Sequence, residues 1–78
     1  MSLYHVNAEW DDEAEVRVAS SEDVPGLATG ADTLEALIEK LKIVIPELLE
    51  ANGLLPAGVE DVPFAIKAER TENAWRVV

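Results

Sequence analysis

One run of residues constrains this chain more than any other. Leu34, Leu37, Ile38, Leu41, Val44, Ile45, Leu48 and Leu49 recur at spacings of three and four, the period of an α-helix carrying one wide apolar stripe. Asp32 stands where an N-cap is expected, with Glu35 three residues on at the capping-box position, and Gly53 after Asn52 fits a left-handed C-cap. A stripe of this kind must be covered, so the remaining residues have to supply one apolar surface. Pro46 falls inside the pattern, where it removes a backbone donor and its ring opposes the carbonyl of Lys42. A kink, or two shorter helices meeting there, is predicted. Ile43 lies off the stripe, so either the kink rotates the last turns or that side touches a second subunit.

The covering surface is read from segments of period two. Tyr4, Val6, Ala8 and Trp10 alternate with His5, Asn7 and Glu9, which predicts a half-buried strand over 3–10. Asp11, Asp12 and Glu13 break it. Ala14, Val16 and Val18 then alternate with Glu15, Arg17 and Ala19, giving a second strand to about Ser20 and an antiparallel hairpin with its apolar set on one side. Val24-Pro25-Gly26 should reverse the chain, and 27–30 reads as a short third strand. After the helix, 54–61 holds Pro56 and Gly58 and reads as loop, and Phe64, Ile66 and Ala68 alternate through a further strand. A turn at Thr71, Glu72 and Asn73 would allow 74–78 to return as a fifth strand carrying Trp75 and Val77. The expected class is α+β: a small antiparallel sheet, β-β-β-α-β with room for a fifth strand, and one long helix on one face. A single domain spans 1–78.

A 78-residue chain buries only about 60% of the surface its unfolded form exposes. Small scaffolds offset that shortfall with disulfides, metals or partner subunits. With no cysteine and one histidine, a homo-oligomer is the remaining device. Six Lys and Arg against sixteen Asp and Glu give a net charge of −10, which opposes phosphate-backbone binding and disfavours direct contact with nucleic acid. The same field would steer a basic protein towards it. No leader-like or membrane-spanning segment is read, so the expected location is cytoplasmic.

The residues offer little for catalysis. There is no cysteine, the serines are Ser2, Ser20 and Ser21, and His5 is a lone imidazole on the first strand. Gly26 and Gly30 flank Leu-Ala-Thr without the Lys-Ser or Lys-Thr of a phosphate loop, and are read as serving the turn and a close approach of strand to helix. Glu9, Asp11, Asp12 and Glu13 place four carboxylates within five residues, but without the alternating Asp and the Gly of a calcium loop. A magnesium-dependent nuclease needs carboxylates converging from separate strands, for which Glu22 and Asp23, or Glu60 and Asp61, are the candidates. A solvated hairpin tip is the simpler reading, so no catalytic, cofactor-binding or metal-binding residue is assigned.

Val-Pro-Gly-Leu-Ala-Thr-Gly-Ala-Asp-Thr-Leu-Glu-Ala-Leu, at 24–37 after a strand hairpin, resembles the N-terminal domain of the HicB-like antitoxins. Val6-Asn7-Ala8-Glu9-Trp10-Asp11, Pro25-Gly26-Leu27, and Pro46-Glu47-Leu48-Leu49 followed by Asn52-Gly53 look closer still to the DUF1902 subgroup, over about 4–70. The resemblance implies a partial RNase H-like sheet with the helix packed on one face. It also implies a protein that binds and masks a small basic RNA-cleaving toxin. No DNA-binding segment is read after the last strand, so operator binding is not carried over. The expected function is that of a non-catalytic, antitoxin-like binding module, with Glu9, Asp11, Asp12 and Glu13 as contacts to a basic toxin. The alternatives are a homo-oligomeric domain without a toxin, and a magnesium-dependent nuclease built on the same carboxylates.

Overall fold

A computed structural model describes residues 3–55, 58 and 61–77. The elements run β1 (Tyr4–Asp11), β2 (Val16–Ser20), β3 (Thr29–Ala31), α1 (Leu34–Ala51) and β4 (Phe64–Glu69). The strands form one sheet in the order β3-β2-β1-β4, and α1 lies on one face over β2 and β3. The α+β layout is the expected one. The sheet is mixed, because β4 joins β1 in parallel while β1–β2 and β2–β3 are antiparallel. The helix accounts for this: β3 runs with β1, α1 carries the chain back along the sheet, and β4 sets out from the same end as β1.

The helix stripe is buried as its spacing predicts. Leu37, Leu41, Ile45 and Leu49, one every four residues, have no exposed surface and pack with Val6, Ala8, Ala19, Val24 and Leu27. Each such side chain contributes about 1.5–3 kcal/mol on burial. The N-cap is Thr33 rather than Asp32: its hydroxyl accepts the Ala36 N–H at 3.1 Å, and Asp32 stays exposed one position earlier. That shift places Glu35 in the first turn facing the positive helix end rather than at a capping-box position. At the other end Gly53 takes φ 68°, the Leu54 N–H bonds the Leu49 carbonyl at 2.8 Å and the Gly53 N–H bonds the Glu50 carbonyl at 3.0 Å, a Schellman motif. The helix continues through Pro46 as one element of 18 residues, so the two-helix alternative does not occur. Ile43 remains 64% exposed, and no rotation of the last turns brings it inward.

The hairpin differs from its sequence pattern. β1 extends through Asp11, and residues 12–15 form the turn. The Asp11 carbonyl accepts the Glu15 N–H at 2.8 Å, Asp11 Oδ1 accepts the N–H groups of Glu13 and Ala14 at 3.0 and 3.2 Å, and Glu15 closes the turn at φ 55°. Ala14 is therefore a turn residue. The register that follows pairs Asp11 with Val16, Glu9 with Val18 and Ala8 with Ala19. Paired residues share a face, so Val16 and Val18 stand on the helix-free side, while Ala19 enters the core. Alternation alone does not set the faces of β2, because both of them carry apolar residues.

The Pro25-Gly26 turn forms as expected, with Gly26 at φ 80° and the Leu27 N–H on the Val24 carbonyl at 3.3 Å. It turns Leu27 into the core, and the third strand starts later than expected, at Thr29. Gly30 makes its close approach to β2, not to the helix: a Cβ there would lie 3.1 Å from the Arg17 carbonyl oxygen. Residues 70–77 form no strand, and Val78 lies outside the described residues, as do Pro56, Ala57, Val59 and Glu60 of the expected loop.

Leu41→Ala should cost about 2–5 kcal/mol in urea unfolding, and Ile43→Ala less than about 0.5 kcal/mol. Thr33→Ala should cost about 1 kcal/mol, and Asp32→Ala should fall within about 0.5 kcal/mol of the parent chain.

Candidate binding surface at the hairpin end

The turn-forming Asp11 and the pleat of β1 decide where the acidic residues go. Glu9 and Asp11 project from the helix-free face beside Val18 and Val16, and Asp12 and Glu13 lie exposed in the turn. Because β4 runs parallel to β1, its end arrives at the same place and sets Glu69 directly beside Glu9. Two shallow clefts result. One, of about 420 Å³, is lined by Glu9, Trp10, Asp11, Asp12, Glu13 and Val18. The other, of about 260 Å³, is lined by Glu9, Trp10, Asp12, Glu69, Arg70 and Thr71.

Trp10 stands between them, and a cation sits to each side of its ring. Arg70 Cζ lies 4.1 Å from the ring centroid and Arg17 Cζ lies 5.9 Å away, contacts worth about 0.5–1 kcal/mol each at an exposed site. Arg17 also donates to the Glu69 carbonyl at 3.4 Å, tying β2 to β4 across β1. The arginines thus serve the strand ends. Among the described residues Glu9, Asp11, Asp12, Glu13 and Glu69 form no ion pair. The surface is a patch of unneutralised carboxylates around an aromatic ring and one exposed valine, suited to cationic side chains with apolar stems.

The four candidate residues from the sequence therefore share one end of the sheet, but their roles divide. Asp11 holds the turn through both its carbonyl and its carboxylate, and Glu9, Asp12 and Glu13 have no such duty among the described residues. The carboxylates considered as convergent partners lie elsewhere. Asp23 Oδ2 accepts the His5 N–H at 2.8 Å and Ser21 Oγ donates to the His5 carbonyl at 2.6 Å, so these side chains continue the β1 edge where β2 stops. From His5 to Asp11 is roughly 20 Å along the strand. Asp61 precedes β4 at that far end as well, and Glu60 lies outside the described residues. Among the described residues no group of three or more His, Cys, Asp or Glu is placed to hold a metal ion. No helix there is long and apolar enough to cross a membrane. Glu69, Arg70 and Val18 were not singled out from the sequence, since only the parallel register of β4 and the face of β2 bring them to the site.

Asp11→Ala should lower stability by about 1 kcal/mol through loss of the turn bonds. Asp12→Asn and Glu13→Gln should change it by less than about 0.5 kcal/mol, measured by thermal unfolding.

The fold has a counterpart among known proteins. The hypothetical protein TTHA1013 from the extremely thermophilic bacterium Thermus thermophilus has a crystal structure that matches with a TM-score of 0.78 and 48% sequence identity, over 94% of this chain and 100% of that one. No curated protein matches. The sequence profile of a domain of unknown function, DUF1902, matches residues 3–77, and the chain belongs to that family.

Proposed function

We propose that this protein is a non-catalytic, antitoxin-like binding module of the cytoplasm that covers a basic segment of a small partner protein with the hairpin end of its sheet. The observation that carries this reading is the gathering of Glu9, Asp12, Glu13 and Glu69 around two clefts with no ion pair of their own among the described residues, in a chain of net charge −10. Carboxylates concentrated at one end steer a cationic partner and set its register more than they add affinity. Val18 on the acidic face, with Trp10 lining the same cleft at the sheet's end, would accept the stems of Lys or Arg, or an aromatic residue. The kind of partner, a basic RNA-cleaving toxin, rests on the resemblance of 24–37 to the HicB-like antitoxins.

Co-expression with the product of the adjacent gene tests the reading. A stable complex is expected, and Glu9→Gln, Asp12→Asn and Glu13→Gln combined should slow its association about tenfold without lowering the melting temperature, since Glu9 stands opposite Glu69. Its affinity should fall as salt rises, since rim charges are screened within about 8–10 Å at physiological ionic strength. Cleavage of RNA or of an RNA–DNA hybrid by the purified protein with magnesium, abolished by Asp11→Asn, would instead establish a nuclease.

A further inference from the structure

The segment after β4 has the pattern of a strand and no surface to lie on. In residues 74–77, Trp75 and Val77 alternate with Ala74 and Arg76, and Trp75 is 80% exposed and Val77 88% exposed. The described residues extend over 62 × 23 × 19 Å. β1, the longest strand at eight residues, accounts for only about 26 Å of that length. Residues 70–77 therefore run on past the end of the sheet.

Two contacts hold the segment in that direction. Arg70 stacks on Trp10, and its guanidinium pairs with the carboxylate of Glu72, two residues on. An extended backbone places i and i+2 on one side, and the Arg70–Glu72 pair fits that course. Residues 71–77 are all exposed, so the segment does not fold back over its own β4.

β4 meanwhile presents what such a segment needs. It is an edge strand, paired on one side with β1, and among the described residues nothing pairs with its other side. Its core-facing Phe64 and Ile66 are only half-buried, because α1 lies over β2 and β3 at the other side of the sheet. An unpaired edge beside a partly covered apolar row is a template for an added strand.

We infer that residues 74–77 of one copy add as a strand to the outer edge of β4 in a second copy, with Trp75 and Val77 covering Phe64 and Ile66, and that the second copy returns the same contact. The exchange is isologous and closes at two chains. It uses the β4 edge rather than the hairpin turn, so it stands or falls separately from the basic-partner reading.

Sedimentation velocity of the parent chain and of a Trp10→Phe variant over a concentration series tests this, together with acrylamide quenching of that variant, which keeps an aromatic ring beneath Arg70 and leaves Trp75 as the single tryptophan. A dimer whose Trp75 emission is blue-shifted and shielded is expected, with removal of residues 74–78 giving a monomer of unchanged circular dichroism. A monomer with freely quenched Trp75 overturns the inference. So does a monomer with shielded Trp75, which would place the segment on its own sheet, and so does a dimer that survives the truncation. The quenching readout uses a chain that retains residues 74–78, so it decides the matter even if the truncated chain fails to fold.

Discussion

The packing of Leu37, Leu41, Ile45 and Leu49 against Val6, Ala8 and Ala19 is the constraint on which the rest of the structure depends. A stripe with one residue every four can cover only one face of a four-stranded sheet. It does so over β2 and β3, leaving the opposite face open and the β4 side half-covered. Carrying the chain back along the sheet, the helix also makes β4 parallel to β1. That heading brings Glu69 and Arg70 to the hairpin end instead of to the far end of the sheet.

The elements with their own local chemistry were legible in the sequence. The helix, its Gly53 C-cap, the Pro25-Gly26 turn and the alternating β1 each follow from a period or a φ requirement confined to a few residues. What was not legible depended on a partner distant in the chain. Val16, Val18 and Ala19 look alike as apolar residues, and only the turn closed by Asp11 and Glu15 decides which face each takes. Thr33 and Asp32 are both good caps, and the choice between them falls to the hydroxyl that reaches Ala36. Residues 74–77 alternate as a strand would but form none on their own sheet, because alternation by itself names no partner edge.

The same division holds for the candidate site. Glu9, Asp11, Asp12 and Glu13 are adjacent in sequence, so their grouping was visible; that Asp11 is occupied by the turn was not. Asp23 looked like a further carboxylate for the cluster and instead completes the β1 edge about 20 Å away. The pleat divides β1 into a row that feeds the core and a row that feeds the acidic face, and Trp10 ends the first row beside the second. The core and the acidic face thus draw on alternate residues of one strand.

Backbone amide shifts of the isotope-labelled protein, recorded while the purified product of the adjacent gene is titrated in, test the binding account most directly. The account predicts perturbations concentrated at residues 9–13, 18 and 69–71, with the exposed side of α1 around Ile43 unchanged. Perturbations centred on that side of the helix, or none at saturating partner, would contradict it.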